Sequence, residues 1–344
     1  MPVEALPRRA PRAVVLGCAG EGLSHDERRF FGEADPAGFI LFRRNCRAPE
    51  QVRRLVDDLR DSVGRGDAPV LIDQEGGRVA RLRPPHWRAY PSAARIAALP
   101  DPHALEALRL GARLIADDLA RLGVSVDCLP VLDLPVAGAD PVIGDRAYGD
   151  DPDRVQHLAR AVCEGLLEGG VLPVLKHIPG HGRARVDSHY ACPVVVTAHH
   201  ELSRTDFAPF RGLAAMPWAM TAHIVYRTLD PAVPATFSRT MVGEVIRGEI
   251  GFGGVLISDD LSMRALGGAF SERVRRALNA GCDLVLHCNG DRGEMEEVVA
   301  AATPLTSEAA ARLARGEAMR RRPGEFDRQE AERRFDALLG EVTR

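Results

Sequence analysis

The sequence lacks the features that mark several common protein classes. Its seven cysteines are scattered and include no Cys-x-x-Cys pair, which argues against a disulfide framework or a zinc ribbon and favours a reduced compartment. No uninterrupted apolar stretch approaches the roughly 20 residues that span a bilayer. Residues 1–12 contain no apolar run of the kind found in signal peptides. We therefore expect a cytoplasmic protein that has no membrane partner.

A strong excess of one charge is also missing. The chain has 45 Lys and Arg against 48 Asp and Glu, a net charge of −3, so no basic field points to a nucleic-acid partner. It contains no Gly-x-Ser-x-Gly elbow and no phosphate-binding loop. His177 and His181 have the spacing of helical zinc ligands, but Pro179 and Gly180 interrupt the helix that would align them. The chemistry must then rest on carboxylates and histidines, and we expect neither a metal nor a cofactor.

Short apolar runs alternate with segments of helical periodicity along most of the chain. The runs that predict strands cover residues 13–16, 38–42, 69–73, 124–132, 173–177, 218–222, 254–258 and 283–287. Helices are indicated between them, for example over 105–122 and 201–215. This alternation predicts an α/β fold, a single-domain (β/α)₈ TIM barrel. We expect it to cover residues 13–344, after a flexible segment 1–12, with a helical tail from Ser307 to Arg344 outside the barrel.

Charged residues follow several of the predicted strands, at the barrel end where active sites of this fold lie. Asp259 ends the seventh strand and could act as a nucleophile. His189 lies in a loop two residues from Asp187 and could transfer protons with its imidazole oriented by that carboxylate. Each feature also has a structural interpretation, because Asp259 could cap a helix and residues 187–189 could form a solvated turn.

Five segments taken together carry a family resemblance. They are residues 73–81 (DQEGGRVAR), 144–146 (GDR), 176–182 (KHIPGHG), 187–189 (DSH) and 258–263 (SDDLSM). In this order, from about Val14 to Asn289, they resemble the motifs of the bacterial β-N-acetylglucosaminidases of glycoside hydrolase family 3. The resemblance implies a cytoplasmic enzyme of peptidoglycan recycling. Its small-molecule substrate would be N-acetylglucosamine linked to 1,6-anhydro-N-acetylmuramic acid and its peptides, and we expect it to act as a monomer.

The resemblance also implies roles for individual residues. Asp259 would be the nucleophile that forms a glycosyl-enzyme, and His189, paired with Asp187, would be the acid/base on a mobile loop. The positions that would hold the sugar hydroxyls are Asp73, Arg81, Arg146, Lys176 and His177. Asp260 is not assigned the covalent role. The chain departs from the family at Arg183-Ala184, where many members have Asp-Thr. The resemblance therefore does not predict whether the loop closes.

Two other functions remain compatible with these residues. A phosphorylase could use the same pair, because a histidine acid repels a phosphate anion less than a glutamate would. A non-catalytic sugar-binding barrel would agree with the altered loop at Arg183-Ala184. Product analysis with and without phosphate distinguishes the phosphorylase from a hydrolase, and turnover of any β-glycoside excludes the binding protein.

Overall fold

A closed barrel of eight parallel strands forms the centre of the computed structural model, which describes residues 10–320 and 324–340. The strands are β1 (Arg12–Gly17), β2 (Pro36–Leu41), β3 (Val70–Ile72), β4 (Val126–Asp127), β5 (Leu172–Ile178), β6 (Trp218–Thr221), β7 (Val255–Asp260) and β8 (Leu284–His287). Each strand pairs with its neighbours in the sequence, and β8 closes the barrel on β1 through Val14 and Val285. The predicted TIM barrel is confirmed.

Helices pack on the outside of the barrel, most of them between consecutive strands. They are α1 (His25–Ala34), α2 (Pro49–Ser62), α3 (Ala93–Ala97), α4 (Asp101–Arg121), α5 (Pro152–Glu168), α6 (His199–Arg204), α7 (Ala208–Gly212), α8 (Phe270–Ala280), α9 (Arg292–Ala301), α10 (Ser307–Met319) and α11 (Arg328–Gly340). A π-helix, Met241–Glu249, takes the helical position between β6 and β7. No helix in the described ranges is long and apolar enough to cross a membrane.

The alternation of side chains along the strands produces two cores. Val15, Ile40 and Met220 point into the barrel, whereas Val14 and Leu16 pack outward against the helices. This alternation is the period of two expected for a strand. The barrel interior is thus filled with apolar side chains, and the polar groups that follow the strands stand above a solid floor.

One segment differs in detail from its prediction. The helix predicted over 201–215 is divided into α6 and α7, because Pro209 lies in the first turn of α7 and lacks the N–H that a continuous helix would need. Thr205, between the two helices, bonds back to the carbonyl of Glu201 at 2.8 Å. A proline is favourable only where a helix begins, so the chain starts a second helix there.

The C-terminal tail is helical in its described part. Helix α10 packs against the N-terminal end of the barrel through Leu313 and Met319, and α11 buries Phe335 and Leu338 against α4. Residues 321–323 and 341–344 of the predicted tail, and residues 1–9 of the predicted flexible segment, lie outside the described residues. Helix α10 therefore covers the barrel end opposite to the charged strand ends, whereas α11 lies against α4 and contacts Tyr90, in the loop after β3, through Phe335.

Candidate active site

Asp73 begins the charged cluster at the C-terminal end of β3. The chain then forms a short hairpin in which the Gln74 side chain accepts the N–H groups of Arg81 and Leu82, both at 2.9 Å. Gly76 makes the turn possible, because its φ is 97° and a Cβ there would lie 2.4 Å from the carbonyl oxygen of Pro91. The hairpin brings the Arg81 guanidinium to Asp73 Oδ2 at 2.9 Å.

Lys176 joins this hairpin to the rest of the barrel. It is the only lysine in the sequence, and its side chain is only 2% exposed. Its Nζ lies 2.8 Å from Asp73 Oδ1 and 2.6 Å from Glu75 Oε1. Arg146 binds the same glutamate through two bonds of 2.8 and 2.9 Å. Carboxylates and cations thus alternate across the strand ends, and each carboxylate binds two cations.

This alternation fixes the charge states of the cluster. Burial by itself would raise the pKa of Asp73, but Lys176 and Arg81 hold it well below its ordinary value. Burial likewise opposes ionisation of Glu75, and Lys176 and Arg146 lower its pKa. Both carboxylates are therefore ionised at neutral pH. The predicted hydroxyl-binding residues Asp73, Arg81, Arg146 and Lys176 form one connected group, through a glutamate to which the sequence interpretation gave no role.

His177 is held by a carboxylate that the sequence interpretation passed over. Asp133 is fully buried, and its Oδ2 lies 2.7 Å from His177 Nδ1. Its Oδ1 accepts the backbone N–H groups of His177 at 3.1 Å and of His181 at 2.6 Å. With Nδ1 occupied, Nε2 is the ring nitrogen of His177 that is available to a ligand. The signal for Asp133 was its position after the fourth predicted strand.

Asp259 is the penultimate residue of β7 and faces the same space. Its Oδ1 accepts the N–H of Asp260 at 2.7 Å, and no ion pair in the described part of the chain involves its side chain. Burial would raise the pKa of Asp259, but His177, His223 and the Asp260 N–H lower it. The result is an ionised carboxylate that has no ion-pair partner among the described residues, which suits a nucleophile.

Asp260 has a different task from its neighbour. Its carboxylate accepts the N–H of Ser262 at 3.0 Å and the N–H of Cys288 at 3.2 Å, so it holds the turn after β7 against the end of β8. His223 donates to or accepts from Thr236 Oγ1 at 2.7 Å, and its Nε2 reaches the carbonyl of Asp260 at 3.1 Å. These bonds fix the backbone that carries Asp259.

The loop after β5 brings Asp187 and His189 to the cavity. Asp187 Oδ1 accepts the backbone N–H of His189 at 2.8 Å and lies 2.7 Å from the ring Nδ1. The His189 side chain is 61% exposed. Between them, Ser188 is buried, and its hydroxyl lies 3.0 Å from His181 Nε2. The loop therefore has a buried attachment point and an exposed histidine.

Arg183 attaches the beginning of this loop to α6 and the residues around it. Its guanidinium lies 2.7 Å from Asp206 and 2.9 Å from Glu201, and it also donates to Thr205 at 3.1 Å. The adjacent Ala184 is buried. The Arg183 side chain, at the position where the chain departs from the family motif, thus points away from the cavity and holds the base of the loop in place.

One cavity of about 330 Å³ joins these elements. It is lined by the predicted residues Asp73, Arg81, Arg146, Lys176, His177, Asp187, His189 and Asp259. Its floor is apolar, formed by Ile40, Met220 and Leu286 of the barrel interior. A larger groove of about 910 Å³ lies between α4 and α5, but it is on the outside of the barrel. Chemistry rather than size identifies the smaller cavity as the candidate active site.

Among the described residues, no group of three His, Cys, Asp or Glu side chains is arranged to hold a metal ion. Within the cluster, each buried carboxylate is already bound to cationic side chains. The arrangement can instead bind an array of hydroxyl groups and offer a carboxylate and an imidazole to the same bond.

Comparisons with known proteins identify the family of the chain. Residues 16–315 match the N-terminal domain of glycosyl hydrolase family 3. The chain is 42% identical over 283 residues to a beta-hexosaminidase from Alkalilimnicola ehrlichii, covering 80% of each protein. It is 39% identical over 306 residues to a beta-hexosaminidase from Pseudomonas aeruginosa, covering 88% of this chain and 90% of the relative.

A solved structure gives the same result. The crystal structure of NagZ from Neisseria gonorrhoeae in complex with N-trifluoroacetyl-D-glucosamine is similar with a TM-score of 0.86 and 31% sequence identity, covering 97% of this chain and all of that one. The match extends over the barrel and the tail. The chain belongs to glycosyl hydrolase family 3 and is a glycoside hydrolase, as the resemblance of its strand-end motifs implies.

Proposed function

We propose that the protein is a retaining exo-β-N-acetylglucosaminidase in which Asp259 is the nucleophile and His189, oriented by Asp187, is the acid/base. The observation that supports this proposal is the shared cavity, whose lining includes the Asp259 carboxylate, the exposed His189 imidazole and the charged side chains of Asp73 and Lys176. The names of the relatives and the glucosamine derivative in the gonococcal structure support an N-acylated hexosamine as the bound sugar.

The first half of the reaction forms a covalent intermediate. His189, in its protonated form, donates a proton to the glycosidic oxygen as the bond from that oxygen to the anomeric carbon breaks. The Asp259 carboxylate attacks the anomeric carbon from the other face and forms a glycosyl ester. Because Asp187 occupies Nδ1, the proton transferred is the one on Nε2.

The second half releases the sugar. His189, now neutral, removes a proton from a water molecule, the water oxygen bonds to the anomeric carbon, and the ester to Asp259 breaks. Two displacements at one carbon leave the anomeric configuration unchanged. The exposure of His189 on a loop allows it to approach the oxygen of the leaving group first and the water afterwards.

The cluster below the loop would bind the sugar. Charged side chains that are fixed by one another lose little freedom when hydroxyl groups bind to them, so they bind a sugar in a defined orientation. The cavity volume of about 330 Å³ lies at the small end of ligand pockets. Because the apolar floor closes the cavity below, we propose that one terminal sugar enters and that cleavage is exo.

We further propose that the natural substrates are N-acetylglucosaminyl-1,6-anhydro-N-acetylmuramic acid and its peptides, and that the enzyme acts in the cytoplasm as a monomer in peptidoglycan recycling. The motif resemblance supports this substrate. Incubation with purified anhydromuropeptides, followed by identification of the released sugar, tests it. Free N-acetylglucosamine is expected, whereas release of a sugar 1-phosphate only when phosphate is present would identify a phosphorylase.

The test of the catalytic assignment uses 4-nitrophenyl N-acetyl-β-D-glucosaminide. We expect Asp259→Ala to lower the rate by about 10⁴-fold, because removal of a nucleophile abolishes the covalent route. Asp260→Ala is the matched control, since it removes the neighbouring carboxylate that holds the turn. Equal rates for wild type and Asp259→Ala would reject the proposed function.

A further inference from the structure

Exposed apolar side chains are concentrated beside the proposed acid/base. Four of the six large hydrophobic side chains that are exposed in the described part of the chain lie between residues 186 and 196. They are Val186, Tyr190, Val194 and Val196. Tyr190 is the most exposed of them, at 74%. Exposed apolar side chains that collect in one part of a surface usually mark a binding site.

Tyr190 differs from the other tyrosines of the sequence. The remaining three, Tyr90, Tyr148 and Tyr226, are buried, as are both tryptophans. The backbone beneath Tyr190 is nevertheless held in place. Its N–H donates to the carbonyl of Asp187 at 3.0 Å, and the carbonyl of Ser188 accepts the N–H of Ala265 at 3.1 Å. An exposed aromatic ring is thus presented from an anchored stretch of chain.

The proposed reaction determines which part of the substrate lies near the Tyr190 ring. An acid that protonates the glycosidic oxygen must be within hydrogen-bond distance of it, and the leaving group begins at that same oxygen. Tyr190 follows His189 directly, so their Cα atoms are about 3.8 Å apart, and one short segment carries both the proposed acid and the exposed ring. The cavity holds the sugar on the other side of the oxygen, next to Asp73 and Asp259.

We propose that Tyr190 forms the binding platform for the leaving group, with its ring stacked on the apolar face of a pyranose. This inference rests on the proposed function. The face of an aromatic ring is negatively polarised and attracts the C–H bonds that cover one side of a sugar. A tyrosine has few rotatable bonds, so it loses little entropy on binding. Because Tyr190 and His189 share one loop, a bound leaving-group sugar also steadies the acid.

The experiment compares two substrates whose leaving groups need protonation to a similar degree. One is N,N′-diacetylchitobiose, whose leaving group is a pyranose, and the other is methyl N-acetyl-β-D-glucosaminide, whose leaving group has no ring. We expect Tyr190→Ala to lower kcat/KM about tenfold for the disaccharide, equivalent to about 1.4 kcal/mol, and less than twofold for the methyl glycoside. Tyr190→Phe keeps the ring and should stay within twofold of wild type for both.

Leu105→Ala is the matched control, because Leu105 is also an exposed apolar residue but lies on α4. It should change neither substrate. Equal losses on both substrates in Tyr190→Ala would overturn the proposal and assign Tyr190 to the loop itself, and so would an unchanged disaccharide rate. If wild type cleaves neither glycoside, the proposed function itself fails.

Discussion

The cluster around Lys176 and the loop around His189 line one cavity but differ in almost every physical property. The cluster is buried, and each of its carboxylates binds two cations. The His189 side chain is exposed and has one carboxylate partner. Buried, mutually paired charges cannot move without a large cost, whereas an exposed loop can. The difference fits the proposed division between groups that hold the sugar and a group that acts first as an acid and then as a base.

The largest effect is expected from breaking the buried cluster. Lys176→Met removes the ammonium between Asp73 and Glu75 and leaves two carboxylates facing each other in a buried site. We expect a loss of about 3–5 kcal/mol in the free energy of unfolding, measured by urea denaturation.

An exposed ion pair provides the control for this loss. Arg109→Met removes the partner of Glu168 on the surface, where Arg109 is 52% exposed, and should cost no more than about 1 kcal/mol. Similar losses in the two variants would remove the distinction between the cluster and ordinary surface pairs. Lys176→Arg is a more stringent comparison, because it keeps the positive charge. The planar guanidinium of arginine cannot replace a compact ammonium that bridges two carboxylates.

A smaller effect is expected where the loop meets the buried region. Burial, and then the neighbouring His177, lower the pKa of His181 from about 6.5 to about 4. The folded state therefore binds the proton less well than the unfolded state. The stability that depends on neutral His181 is present above pH 6.5 and is lost as the pH falls toward 4, by about 3 kcal/mol in total.

Urea denaturation of wild type and His181→Gln between pH 7 and pH 4 measures this contribution. Glutamine keeps a polar group for Ser188 but does not titrate. The stability difference between the two proteins should shift in favour of the variant as the pH falls through this window. Parallel curves would mean that His181 is not held neutral in the folded protein.

The smallest effect concerns the anchor of the loop. Arg183→Ala removes the contacts with Asp206 and Glu201, and we expect faster amide exchange over residues 184–191. Because His189 would then be correctly placed less often, kcat for the methyl glycoside should fall about tenfold, with KM changed less than twofold. Arg183→Lys should recover part of the loss through Asp206. Unchanged exchange and kcat in Arg183→Ala would show that the loop is positioned by Ser188 alone.

Much of the barrel and the site could be predicted from the sequence, because strand periodicity and charged strand ends are local patterns. Asp73, Lys176 and Asp259 follow directly from their places at the ends of β3, β5 and β7. The pairing of Asp133 with His177 could not be predicted, since it depends on two strand ends 44 residues apart in the sequence. The direction of the Arg183 side chain could not be predicted from the sequence either, because its partners lie beyond the loop that it anchors.

The break between α6 and α7 shows a different limit. The apolar spacing over 201–215 favours one helix. Pro209 is the residue that argues against a continuous helix, because it lacks a backbone N–H. Helical periodicity is preserved across a break when both pieces face the same core, as Leu202 and Phe210 do. Periodicity therefore indicated which residues are buried more reliably than it indicated where the helices end.

The claim that a rigid cluster holds the sugar while the loop carries the proton is tested most directly by His189→Ala with two leaving groups. The measurement is kcat/KM, which reports the first half of the reaction, for the methyl and 2,4-dinitrophenyl N-acetyl-β-D-glucosaminides. We expect a loss of about 10²–10⁴-fold for the methyl glycoside and less than about tenfold for the dinitrophenyl glycoside, whose leaving group needs no proton. Equal losses for the two substrates would contradict the assignment of His189 as the acid.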